Sequence, residues 1–329
     1  MPSPETPTFP ANLVVDVHDL AAIILDCHSQ LESRFTSTQL VEVNRGTTPL
    51  QTIPPRLLGL EWNSVPKRIA YILKEKDVAP PRVTLGAFAH SEGVKTPDGQ
   101  PLARKDLEDI FWRCKCFDSG YVLTYVAQQV FDALPPTATL SIRTSQGYTT
   151  ACAPSETTVA EVAVLPREAC VHVVMDKEQH LSGFDGPMPW IWLFIGKPSS
   201  TNPDIDTRAV LDLAVTQIGG RGRGGELFAL ERGVHYYDSV LNKHAADLGG
   251  DMKLSVKITL SPPHIRAHGD AVKAMVLERL AKIAAGNDQF CRYCGKDEVN
   301  LQCSGCKKAY FCQECVKQGW KYHKRWCQP

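Results

Sequence analysis

The 329-residue chain has no surplus of charge, because 36 Lys and Arg are balanced by 36 Asp and Glu. That balance excludes a protein whose partners are held by bulk charge alone. Nor does any run approach the roughly eighteen apolar residues of a membrane span, so no membrane contact is expected. The opening, Met1-Pro-Ser-Pro-Glu-Thr-Pro-Thr-Phe-Pro10, lacks the basic region and apolar stretch of a secretory signal. An intracellular protein, nuclear or cytoplasmic, is the expectation. Five of the twelve cysteines, at positions 27, 114, 116, 152 and 170, are scattered and odd in number, as in a reducing compartment. The apolar fraction of 43% is ordinary, and places the chain with globular proteins of two or three domains.

The other seven cysteines are crowded into the C-terminal stretch with one histidine. They run Cys291-Arg-Tyr-Cys294, Cys303-Ser-Gly-Cys306, Cys312-Gln-Glu-Cys315 and His323-Lys-Arg-Trp-Cys327. Two cysteines separated by two residues can aim both sulfurs at one ion, so each pair is half a site. Four half-sites suffice for two tetrahedral zinc ions, and a site closed by four protein ligands holds structure instead of activating water. A segment of about forty residues is also too small to fold on apolar burial alone. Zinc binding worth about 10–16 kcal/mol can supply what Phe290, Tyr310, Phe311, Trp320, Tyr322 and Trp326 cannot. The metal set is therefore Cys291, Cys294, Cys303, Cys306, Cys312, Cys315, His323 and Cys327.

The tail Cys303-Ser-Gly-Cys306-Lys-Lys-Ala-Tyr310-Phe311-Cys312, with Trp320, His323 and Cys327, resembles the second half of the MYND zinc finger. The resemblance covers about the last forty residues. It implies two interleaved zinc sites, with Cys291, Cys294, Cys312 and Cys315 on one ion and Cys303, Cys306, His323 and Cys327 on the other. It also implies binding of another protein, including a short peptide segment, since some MYND fingers take proline-rich peptides. Two details differ from the family: only Gln313 and Glu314 separate Cys312 from Cys315, where three residues are usual, and Val316 and Gly319 replace a usual Gln and Asp. From Asn287 to Pro329 there are eight Lys or Arg and four Asp or Glu. Seven thiolates on two divalent ions remove all but about one of those four excess positive charges, a poor footprint for nucleic acid.

Residues 1–10 read as a disordered tail, 11–286 as an α+β domain of unassigned role, and 287–329 as the finger. Within the large domain, helices are expected at Leu20–Leu31 behind Asp16 or Asp19, from Ser64 through Ile69, Ile72 and Leu73 to Lys76, over Tyr121–Leu134, and from Asp270 to Gly286. Strands are expected at 139–143 and 148–152, joined through Ser145-Gln-Gly147, and at 170–175, 190–195 and 254–260. Asp26-Cys27-His28 reads as packing beside a solvated helix face. Gly219-Gly-Arg-Gly-Arg-Gly-Gly225 formally contains G-x-G-x-x-G but lacks a clean preceding strand. It reads as a mobile loop meeting an acidic partner through Arg221 and Arg223. The one enzymatic lead is Cys116 near a helix N-terminus, followed by His172 and Asp212 in the chain order of papain-like or transglutaminase-like hydrolases and acyltransferases. No histidine heads the strand at Pro189-Trp190, so a degenerate descendant is the form this alternative takes. No Asn-His-Ser-Cys signature of a SET-domain methyltransferase is present. The combination resembles fungal proteins that carry a MYND finger behind a large domain of unassigned role, and a zinc-dependent adaptor or regulator is the expected function.

Overall fold

A computed structural model describes residues 7–32, 38–45, 68–75, 108, 112–113, 119–147, 149–174, 178–182, 186–198, 207–260, 263–287, 289–293, 295–324 and 327. Asp16 ends strand β1 (Val14–Asp16), and its Oδ1 accepts the backbone N–H groups of His18 at 2.9 Å and Asp19 at 3.3 Å. This N-cap starts α1 (Val17–Leu31), as the sequence led us to expect. Helix α1 packs with α2 (Ser119–Ala133) and α3 (Pro263–Ala284), and the three share one core through Leu20, Ile24, Val126, Phe131, Val272 and Val276. Helix α3 starts seven residues before the expected Asp270 and ends where Gly286 takes φ 78°.

The chain is mixed α and β. Among the described residues, β1 pairs in parallel with β4 (Thr139–Arg143), which forms the expected hairpin with β5 (Thr149–Cys152). A second sheet has the order β2 (Thr38–Arg45), β3 (Arg68–Glu75), β7 (Ala169–Val174) and β8 (Glu178–Ser182). A third is antiparallel throughout: β11 (Ala229–Arg232), β10 (Ala209–Asp212), β9 (Met188–Ile195), β6 (Thr157–Pro166) and β12 (Ala245–Ser255). Strand β9 is buried on both faces. Its Ile191, Leu193 and Ile195 join the core of the three helices, while Trp190, Trp192 and Phe194 join a second core with Tyr236 and Leu241. That explains an unbroken apolar run where a half-exposed strand would alternate.

Two expectations are corrected here. The helix expected from Ser64 to Lys76 is strand β3 over its described part. Residues Ile69, Ala70, Tyr71, Ile72 and Leu73 are all buried between β2 and β7, so the run has no polar face, and the spacing of Ile69, Ile72 and Leu73 imitates a helix by coincidence. The strand expected at 254–260 ends at Ser255, with Leu254 and Val256 exposed. Beyond it the Gln128 side chain donates to the Val256 carbonyl at 2.7 Å and accepts from the Ile258 N–H at 2.9 Å, replacing a strand neighbour.

Candidate metal centre in the C-terminal segment

The C-terminal segment is built from three tight turns, a short hairpin of β13 (Leu301–Gln302) with β14 (Tyr310–Phe311), and α4 (Val316–His323). Each C-x-x-C pair closes its turn the same way. The carbonyls of Cys291, Cys303 and Cys312 accept the N–H groups of Gly295, Lys307 and Val316 at 2.9, 3.0 and 3.0 Å. The residue after the second cysteine takes a left-handed conformation at Gly295 (φ 70°) and again at Lys307 (φ 54°). At the end of α4, the Cys327 N–H bonds the His323 carbonyl at 2.8 Å, bringing the fourth pair together.

Cys303, Cys306, His323 and Cys327 place one ligand atom each within 4.8 Å of one another, as do Cys291, Cys312 and Cys315. Cys294 lies outside the described residues. Cys291, Cys303, Cys306, Cys312, Cys315 and Cys327 form no disulfide among the described residues. Cys303 Sγ is 3.7 Å from Cys327 Sγ, and Cys306 Sγ is 3.4 Å from His323 Nε2. With Zn–S near 2.3 Å and Zn–N near 2.0 Å, a tetrahedron has sulfur–sulfur edges of about 3.8 Å and sulfur–nitrogen edges of about 3.5 Å. The donors are therefore spaced to take a tetrahedral ion. Burial alone pushes the Cys303 thiol up, but N–H groups of Cys306 and Gly305 donate to its sulfur and hold it below the ordinary thiol range. Burial holds His323 below its ordinary range, which favours the neutral ring a metal requires.

The segment is docked on the rest of the described chain. Phe290 belongs to the main core at 3% exposure, with the Arg292 guanidinium 4.0 Å above its ring. The Arg279 Nη1 pairs with Asp26 of α1, and its Nη2 donates to the Gly295 carbonyl at 3.3 Å. The Tyr293 hydroxyl donates to Glu108 Oε1 at 3.0 Å, while Arg221 Nη1 bonds Glu108 Oε2 at 2.6 Å. Between the two parts lies a cavity of about 90 Å³ lined by His18, Asp19, Glu226, Phe228, Phe311 and His323. Burial would push the His18 imidazole down, yet the Glu226 carboxylate at 2.6 Å and Asp19 outweigh it and raise its pKa to about 10. His18, Glu108, Glu226 and Arg279 carry no motif in the sequence, since their partners lie far along the chain. Asp26-Cys27-His28, expected as packing beside a solvated face, is buried at all three positions, with Asp26 at the docking contact.

The glycine-rich loop is corrected too. It is folded against the chain: Arg221 is engaged by Glu108, Gly222 N–H bonds the Glu226 carbonyl at 2.9 Å, and a Cβ on Gly222 would overlap the Phe228 carbonyl. Of the hydrolase alternative, Cys116 lies outside the described residues. His172 lies on β7 and Asp212 on β10, in different sheets. Asp212 accepts from Ala214 N–H at 2.8 Å, Tyr236 Oη at 2.7 Å and Trp190 Nε1 at 3.2 Å, a closed structural network. Burial raises its pKa to about 6 despite these donors. Among the described residues no helix is long and apolar enough to cross a membrane.

No family model matches the chain, and no solved structure does. The chain is similar to "Dauer abnormal formation protein 25" of Caenorhabditis elegans, 39% identical over 56 residues, which are 17% of this chain and 13% of that protein.

Proposed function

We propose that residues 287–329 form a MYND-type finger with two structural zinc ions, and that the protein is an adaptor or regulator that binds another protein through it. In this reading Cys303, Cys306, His323 and Cys327 hold one ion, and Cys291, Cys294, Cys312 and Cys315 hold the other. The half-sites alternate along the chain, so the ions interleave. The observation that carries the reading is the fit of the 3.7 and 3.4 Å donor separations to the edges of a zinc tetrahedron. Zinc closed by four protein ligands supplies folding energy and has no position for a substrate. The chemistry of such a segment is therefore recognition. The near-neutral charge after metal binding favours a protein or short peptide over nucleic acid. Trp320, 43% exposed on α4, and Leu301, 44% exposed on β13, are apolar side chains available for such a contact.

Elemental analysis of the purified full-length protein should find zinc at the finger, and Cys303→Ser should lose one ion there. Partner capture from cell extract with the two proteins, followed by mass spectrometry, should lose a defined set of proteins with the variant. Identical partner lists from two folded proteins would move the function into the large domain.

A further inference from the structure

Outside the C-terminal segment, His28, Glu32 and His268 bring one ligand atom each to within 4.8 Å of one another. His28 lies in the last turn of α1, Glu32 is the C-cap whose N–H bonds the His28 carbonyl at 3.0 Å, and His268 comes from the second turn of α3. His28 is 1% exposed and Glu32 7% exposed. The His28 Nδ1 and His268 Nε2 are 3.1 Å apart, with the rings nearly perpendicular at 74°.

We propose that these three side chains form a third metal site, for a divalent transition ion of the zinc class, independent of the finger. Two imidazole nitrogens on a tetrahedral zinc are separated by about 3.3 Å when each Zn–N bond is about 2.0 Å, close to the separation here. Two imidazoles and one carboxylate are a donor set that zinc-class dications take. The C-terminal end of α1 adds to this, because its carbonyls make it the negative pole of the helix and favour a cation. His28 is fixed for ligation: its ring stacks on buried Trp112 at 26° with centroids 6.0 Å apart. His268 is partly exposed and offers the ion a way in. Two histidines and one glutamate leave a fourth position for water, unlike the closed finger sites. The ion would tie the end of α1 to the start of α3, the two helices on which the C-terminal segment is docked.

The test uses full-length protein given two equivalents of zinc, which fill the tighter four-ligand sites of the finger and leave the three-ligand site open, and cobalt(II) is then added. One equivalent of cobalt per chain should give visible d–d absorption without a thiolate charge-transfer band, as expected of nitrogen and oxygen donors. His268→Ala and the near-isosteric Glu32→Gln should each weaken that binding at least tenfold while circular dichroism stays unchanged. Absence of a cobalt signal, a signal carrying thiolate charge transfer, or equal affinity in both folded variants would each overturn the site and leave His28–His268 a hydrogen-bonded pair. A failure of the finger's zinc stoichiometry would not affect this result, since the donors are separate.

Discussion

Gly295→Ala tests how the C-terminal segment is held. Gly295 has φ 70°, and a Cβ there would overlap the Asp26 carboxylate and come within 2.8 Å of Arg279 Nη1. The left-handed backbone costs a non-glycine residue about 1–2 kcal/mol wherever it sits. The overlap adds a second cost, because the Asp26–Arg279 pair must separate or the turn must lift off α1. Breaking a buried pair costs about 3–5 kcal/mol, so the full effect lies between about 1 and about 7 kcal/mol, with the larger values expected if the pair gives way. Urea unfolding with zinc in excess measures the loss, and hydrogen exchange at Gly295 and Lys296 reports whether the turn has lifted. Repeating the substitution in an Asp26→Ala background closes a double-mutant cycle. There the overlap with the carboxylate is gone and only the backbone cost of about 1–2 kcal/mol should remain. Equal losses in both backgrounds would refute the docking argument and leave Gly295 a requirement of its own turn.

The buried His18–Glu226 pair has a defined pH signature. Its folded pKa, about 10, stands above the ordinary 6.5, so the stabilisation is fully present below pH 6.5 and is lost as pH rises through 10. Urea midpoints at pH 6 and pH 9.5 should differ, and Glu226→Gln should flatten that difference. Asp212 has the same sign at lower pH: raised to about 6 from 3.8, it makes the fold less stable as pH rises from 4 to 7, by about 3 kcal/mol at most. Tyr236→Phe removes a donor from the Asp212 carboxylate and should cost about 1–3 kcal/mol, more at pH 8 than at pH 5, because the ionised form needs the donor most. Trp192→Ala should cost about 3–5 kcal/mol by thermal or urea unfolding, because that ring fills the second core against Tyr236. Removing zinc with a chelator should unprotect the amides of 301–323 while those of α1 and α2 keep their protection in hydrogen exchange.

How much was legible follows from where each signal is stored. The cap at Asp16, the apolar face of α2 and the turn at Ser145-Gln-Gly147 are local, and each formed where expected. The clusters Cys303–Cys306–His323–Cys327 and Cys291–Cys312–Cys315 were legible because metal half-sites are written in spacings of three or four residues. Strand β3 was misread because burial on both faces removes the polar half of the period. Strand β12 was misplaced because it is a sheet-edge strand containing Gly249 and Gly250, with register shifts against β6 and mostly exposed or half-exposed side chains. The docking residues were out of reach for another reason. Asp26 and Arg279 are 253 positions apart, and only the packing of α1 against α3 makes them neighbours. The pair His28 and Glu32 did carry a local signal, four apart across the end of a helix, yet a third ligand from α3 is visible only in the fold.

The docking bears on how the proposed adaptor can work. Phe290, Tyr293 and Gly295 meet the core, Glu108 and the Asp26–Arg279 pair, and Phe311, Gly319 and His323 line the cavity beside α1. A partner therefore meets what is left, the exposed Trp320 and Leu301 together with whatever part of the large domain borders them. The same helix, α1, carries Asp26 at the docking contact, His18 in the cavity and His28 with Glu32 in the proposed third site. In the proposed reading a bound metal would fix the turn that holds Gly295, and the Gly295 carbonyl in turn receives Arg279 from α3. Metal loading of the C-terminal segment and the α1–α3 contact are thus linked through one arginine, so Arg279→Ala should weaken zinc retention under chelator challenge without removing any ligand. Retention equal to that of the unaltered protein would show that the segment folds on its ions alone, and would free the finger to act as an independent module.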